Sequence, residues 1–232
     1  MLILTLLVSG CGGDDSSRHI TDAPKLACDP APAVTCARLG PDFVTTSTGM
    51  NPVGPWSYGS SPTLGGAFSI YTLHFDGNNT SLEGLEMWAS DVVDGGGAHL
   101  PTLGINATAT TIDPIGTYTV AAGQILGHPG QSGQYSIARW TAPAAGTYRV
   151  QATFGGLSGE NGNPPTSTDV HVRHNADELL TSSVTLYGAA AATCNATAIT
   201  AAVADTIDFA VGIGGNDYFH DSTSIDAAVC PM

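Results

Sequence analysis

At 232 residues with 42% hydrophobic side chains, the chain is long enough for one sandwich-sized domain with appendages, and one domain is the expectation. Six Lys and Arg stand against twenty Asp and Glu, a formal net charge of -14, which excludes nucleic acid as a partner and excludes attraction to anionic lipid headgroups. Twenty-nine glycines, recurrent Ser and Thr, and only 11% charged residues suit an exported all-β module better than a helical cytosolic enzyme.

The chain begins "MLILTLLVSGC", an apolar run of signal-peptide length and far too short to span a bilayer as a mature helix. Its end, Val8-Ser9-Gly10-Cys11, resembles the lipobox of bacterial lipoproteins. The resemblance implies a signal peptide over residues 1–10 and acylation of Cys11 as the mature N-terminus. The membrane is then a partner through the lipid anchor. Gly12 occupies the position where an aspartate retains many lipoproteins at the inner membrane, which points to the outer membrane or cell surface. Multiple acyl chains make a stable anchor where one does not, because each buried methylene adds about 0.8 kcal/mol.

Residues 11–41 are small, polar and proline-punctuated, and read as a flexible tether. Export into an oxidising compartment favours disulfides over metal ligation for Cys28, Cys36, Cys194 and Cys230. Three pairings exist. The expectation is Cys28 with Cys36, a short loop in the tether, and Cys194 with Cys230, tying a late strand to the chain's end.

From residue 42 to 232 short alternating runs are separated by Gly, Pro, Asn and Asp. In "GPWSYG", Trp56 and Tyr58 project to one side, either as ligand contacts or as a plug closing one end of a sandwich. In "LEGLEMW", Leu85 and Met87 share one face, Glu86 and Trp88 the other. If the first pair is core, Trp88 is displayed beside a carboxylate, an arrangement that stacks an indole on a pyranose; the alternative buries Trp88 in a second layer. "TYRVQATF" puts Tyr148, Val150, Ala152 and Phe154 on one face. "DVHVRH" turns Val170 and Val172 inward and Asp169, His171 and Arg173 outward, and "DTIDFAV" turns Ile207, Phe209 and Val211 inward. The alanine-rich "YGAAAATCNATAITAAV" is open between strand, loop and helix. About ten strands without helical crossovers predict an antiparallel β-sandwich of jelly-roll type.

"NPVGPWSYG", "YSIARWTAPAAGTYRV", "TDVHVRHN" and "DTIDFAVGIGGNDYFHDST" together resemble a module of exported bacterial proteins, some with PEP-CTERM sorting tails, of the carbohydrate-binding-module kind of jelly roll. The resemblance covers roughly residues 42 to 230 and implies fold more than activity. Ala204 departs from it, standing where a glycine usually precedes "DT".

Chemistry concentrates in "DTIDFAVGIGGNDYFHDSTSID". Its aspartates read mainly as turn punctuation, Asp217 and Asp221 capping loop amides. The same two residues are the calcium ligands if an ion is bound, since loop carboxylates supply hard oxygens; no other cofactor is expected. Walker, GxSxG and EF-hand spacings are missing. The expected function is a surface-anchored, non-catalytic, monomeric binding module for carbohydrate or another envelope polymer, with Trp88, Glu86, Trp56 and Tyr58 as ligand contacts. A structural or adhesive lipoprotein without a small-molecule site is the alternative. A glycoside-acting enzyme using Glu86 or Asp208 in a carboxylate pair ranks behind both, with only four glutamates in the chain.

Overall fold

The computed structural model describes residues 35–43, 50–77, 82, 84–159, 162–188 and 190–232. Of the two compact units into which the chain divides, Met1–Ala33 lies outside the described residues, and with it Cys11 and Cys28; Val34–Met232 is the sandwich. In chain order its elements are β1 (Ala37–Arg38), a four-residue helix α1 (Leu39–Asp42), β2 (Trp56–Ser61), β3 (Ser69–Ile70), β4 (Leu73–Phe75), β5 (Leu85–Ala89), β6 (Thr102–Asn106) and β7 (Ile125–His128). There follow β8 (Tyr135–Thr141), β9 (Gly146–Gly156), β10 (Thr168–His174), β11 (Asp177–Val184), β12 (Ala190–Ala201), β13 (Thr206–Gly212) and β14 (Thr223–Pro231).

They form two antiparallel sheets. The eight-stranded sheet runs β12-β9-β14-β7-β6-β5-β4, with β1 also on β14, and the six-stranded sheet runs β11-β10-β13-β8-β2-β3. The antiparallel sandwich expected from the sequence is what the chain forms. The alternating runs of β9, β10 and β13 send Tyr148, Val150, Ala152, Phe154, Val170, Val172, Ile207, Phe209 and Val211 into one inter-sheet core. Burying one face of each strand removes that apolar surface from water, at about 25 cal/mol per Å².

The alanine-rich segment resolves as strand β12. Its alanines favour helix and its threonines favour strand, and pairing with β9 decides the matter, with irregularities between Ala190 and Ala192 and between Ala196 and Ile199. Ala204, at φ 69, sits in the left-handed region that favours glycine, in the turn that feeds β13.

Two expectations for the N-terminal side change. Pairing begins upstream of residue 42: β1 lies against β14, with Ala37 opposite Val229 and Arg38 opposite Ala228, and Leu39 is fully buried. This register brings Cys36 beside Cys230, and these two form the disulfide. Neither expected pairing, Cys28 with Cys36 or Cys194 with Cys230, is therefore made. Cys194 is a free, buried thiol. It lies opposite Ala152 on β9, whereas Cys230 lies opposite exposed Arg149 on the other side of β9. Two strand spacings of about 4.8 Å separate β12 from β14, beyond the Cα distance of about 7 Å that a disulfide bridges.

Candidate functional site

The four residues expected to contact a ligand are all buried. Trp56 and Tyr58 are 0% exposed, Trp88 5% and Glu86 8%. Trp56 and Tyr58 point from β2 into the core and are capped by α1: the Trp56 indole N–H donates to Asp42 Oδ2 at 3.2 Å and the Tyr58 hydroxyl donates to the Asp42 carbonyl at 3.4 Å. Of the two readings of "GPWSYG", the plug is the one formed.

On β5 both faces are covered. Trp88 enters the inter-sheet core, its ring 4.8 Å from that of His74 and nearly edge-on. Leu85 and Met87 face the other way, under a second cluster with Tyr118, Val120, Leu126 and Leu157. The displayed indole expected from sequence is thus corrected to the buried alternative. Glu86 lies 3.6 Å from His74 Nε2, and burial raises its carboxyl above the ordinary carboxylate range. Asp208, the other residue weighed for a carboxylate pair, accepts a bidentate hydrogen bond from Arg139 at 2.7 and 2.8 Å, on the outer side of the six-stranded sheet. Glu86 and Asp208 do not share a cavity.

The outer face of the eight-stranded sheet holds the cavity of interest, of about 470 Å³. Register sets its floor: Ala89, Thr102 and His128 lie in one row across β5, β6 and β7, and Met87, Gly104 and Leu126 in the next. Three connections wall it: the turn around Asp94 to Ala98, the segment around Ile115 to Tyr118, and the β13–β14 loop carrying Tyr218, Phe219 and His220. The volume falls within the usual range of ligand pockets, about 300–1,000 Å³. A larger cavity of about 660 Å³ on the same sheet is lined mainly by Gly, Ala and Thr, with Tyr187 its one aromatic ring among the described residues.

The β13–β14 loop is held to β10 at several points. Gly214 at φ 65 donates its N–H to Asp169 Oδ1 at 2.7 Å, and a Cβ there would collide with the Ser167 carbonyl. Asp221, fully buried, accepts at Oδ1 from the Ser167 amide and hydroxyl, both at 3.1 Å, while Asp217 Oδ1 accepts from the Phe219 amide at 3.0 Å. Both aspartates cap loop amides. Among the described residues no three His, Cys, Asp or Glu side chains cluster as metal ligands, so a cation at Asp217 and Asp221 would need hydroxyl and carbonyl oxygens as well.

Asp169 is held in turn from the far side. Burial works against its charge, but hydrogen bonds from His171, Tyr135 and Gly214 outweigh it and hold the carboxyl down at about 2. His171 bridges Asp169 (2.9 Å) and Glu178 (3.3 Å), and these partners overcome desolvation to raise the imidazole above its usual value.

So anchored, the loop presents Tyr218 and Phe219 as a stacked pair with centroids 4.4 Å apart, and Phe219 is 59% exposed at the cavity mouth. The Tyr218 hydroxyl donates to Asp94 Oδ2 at 3.1 Å. Deeper in, His128 Nδ1 faces the Pro129 carbonyl at 2.9 Å, and burial keeps the ring neutral by lowering its pKa. Burial pushes the Tyr118 phenol up to about 12, against a hydrogen bond with Ser222. Aromatic faces over polar acceptors can hold a small polyhydroxylated molecule. In "GGNDYFHD" the aspartates stand out in the sequence, but it is the adjacent aromatics that line the cavity. Large rings in a glycine turn, where no strand face can bury them, were the available signal.

Asp221 has a measurable consequence. Burial leads in raising its carboxyl to about 6, opposed by the Ser167 hydrogen bonds and aided by the charges of Asp217 and Asp169. A raised carboxyl contributes stability that is complete below its ordinary value of 3.8 and is lost as pH climbs through about 6. Asp221→Asn is expected to flatten the melting temperature against pH across that window and to raise it above the window; an unchanged slope would count against the assignment. Running the titration with calcium and with chelator tells whether a cation also meets the unpartnered Oδ2 of Asp221.

No family model matches the chain, and no curated protein does. Among solved structures it is similar to CBM51 from Clostridium perfringens GH95 in complex with methyl-galactose, at 12% identity and a TM-score of 0.37, over 84% of this chain and 99% of that one. A cyclase from Fischerella sp. TAU is 13% identical at a TM-score of 0.34, over 68% and 82% of the two chains. CBM4 is 15% identical at 0.28, over 68% and 92%. The cavity is accordingly read from its own residues.

Proposed function

We propose that the chain is a non-catalytic binding module whose outer-face cavity takes a carbohydrate, as a free glycan or as part of an envelope polymer, and that acylated Cys11 holds it at the outer membrane or cell surface. The stacked Tyr218–Phe219 pair at the mouth carries the proposal. An aromatic face suits the apolar side of a pyranose, and His128 and Asp94 stand ready for its hydroxyls. Among the described residues lining the cavity Asp94 is the one carboxylate, so the paired carboxylates of glycoside hydrolysis are not assembled there.

The test is a glycan array, then calorimetry, with the full chain kept soluble as Cys11→Ser. Phe219→Ala is expected to weaken binding by about 1 kcal/mol or more, the scale of one aromatic stacking contact, while stability changes by less than about 0.5 kcal/mol because the ring is largely exposed. Full binding by Phe219→Ala would end the proposal for this cavity. Mass spectrometry of the chain extracted from membranes is expected to find acylated Cys11 as its first residue; an unmodified Cys11 would remove the anchor.

A further inference from the structure

We infer that the cavity is built for a sugar bearing a protonated amine, with the ammonium group facing Asp94. This rests on the binding reading above and narrows its ligand class. Histidines aside, Asp94 is the one charged side chain among the described residues that line the cavity; no Lys or Arg is among them. Its carboxylate is fixed in place: Oδ1 accepts from the amides of Gly96 at 2.9 Å and Ala98 at 2.8 Å, and Oδ2 accepts from the Tyr218 hydroxyl. Burial opposes the charge, but these donors outweigh it and hold the group anionic.

Groups around it also offer lone pairs. A ring nitrogen opposite a carbonyl must carry the hydrogen, so the Nδ1–H of His128 donates to Pro129 and leaves Nε2 as an acceptor. His99 likewise has Nδ1 3.1 Å from a carbonyl, that of Ser90, so its Nδ1–H donates there. Ser158, which lines the cavity, has a wholly buried hydroxyl with no hydrogen-bond partner among the described residues, a polar group still open to an acceptor or donor.

An ammonium offers three donors and no acceptor, the complement of this set. The faces of Tyr218 and Phe219, one bound to Asp94 and the other at the mouth, attract a cation through their ring quadrupoles. A uronic acid would instead meet Asp94 with like charge and find no Lys or Arg. A neutral or N-acetylated sugar would leave Asp94 without a charged partner. The chain's net charge of -14 adds attraction at longer range.

The experiment is calorimetry of the full Cys11→Ser chain at neutral pH with matched tetramers: glucosamine, N-acetylglucosamine, glucose and galacturonic acid, together with galactosamine against galactose. In at least one configuration the amino sugar is expected to bind about tenfold tighter than its neutral counterpart, a difference that shrinks when salt rises from about 0.02 to 0.5 M and screens the charge. Asp94→Asn, which keeps an oxygen for the Gly96 and Ala98 amides, is expected to abolish the preference of the amino sugar over its neutral counterpart. A neutral or acidic sugar binding as tightly as the amino sugar overturns this inference and leaves the binding reading standing. So does a preference that survives in Asp94→Asn. Should that variant fail to fold, a preference insensitive to salt in the wild type overturns it equally. If no tetramer binds, the binding reading falls and takes the inference with it.

Discussion

Replacing Cys36 or Cys230 with serine is expected to destabilise the sandwich by about 4 to 5 kcal/mol, the upper end for a single disulfide, because the bridge closes a loop with a sequence separation of 194. In the chain-entropy account a loop of that size removes much of the unfolded chain's freedom. For a domain of this size the loss is roughly 10 to 20 °C in melting temperature. The bridge also holds β1 and, through α1, the Asp42 cap over Trp56 and Tyr58. Reductant is expected to lower the melting temperature of the wild type to that of the variants and to leave the variants unmoved. Peptide mapping under non-reducing conditions provides the independent check. A peptide joining Cys194 to Cys230, or a wild type indifferent to reductant, would show the pairing to be wrong.

Trp56→Ala is expected to cost about 3 to 5 kcal/mol, measured as a shift in denaturant midpoint at unchanged slope. The indole is fully buried, lies 5.9 Å from the Phe209 ring between centroids and donates its N–H to Asp42, so truncation leaves a void and loses that tie to α1, while Asp42 keeps its hydrogen bond from the Arg38 amide. Trp56 does not line the proposed ligand cavity. Glycan affinity of whatever fraction remains folded is therefore expected to match the wild type. A small stability loss with a large affinity loss would return Trp56 to the ligand-contact role that its sequence neighbourhood suggested.

What the sequence determined by itself is local. The period-two runs of β9, β10 and β13 each state which side chains face the core, because alternation across a pleated strand needs only neighbouring residues to be read. With the Gly- and Pro-rich turns between them, they are enough to predict an antiparallel sandwich. The capping role of Asp217 is legible for the same reason, since an aspartate in a tight turn meets amides two or a few residues away, as Asp217 meets Phe219; Asp221 instead caps Ser167, a partner far away in the chain.

Whatever depends on two distant segments meeting was decided only by the tertiary structure. The partner of Cys230 follows from β1 lying on β14, a register that no property of residues 28 to 38 declares. The helix-or-strand question at β12 is settled by its pairing with β9, since alanine favours helix and threonine favours strand and the two pull against each other. The face of Trp88 could be read as displayed only while one side of β5 was taken to meet solvent; the Tyr118–Val120 segment and Leu157 cover that side and the second sheet covers the other. The cavity has the longest reach. Its lining runs from Phe75 to Ser222, and its polar set comes together because β5, β6 and β7 pair in register to align two rows of residues and because Asp169 and Asp221 anchor the loop that carries Tyr218 and Phe219. Long-range pairing of this kind is set by the sum of many weak packing terms over the whole core, not by any short stretch of residues.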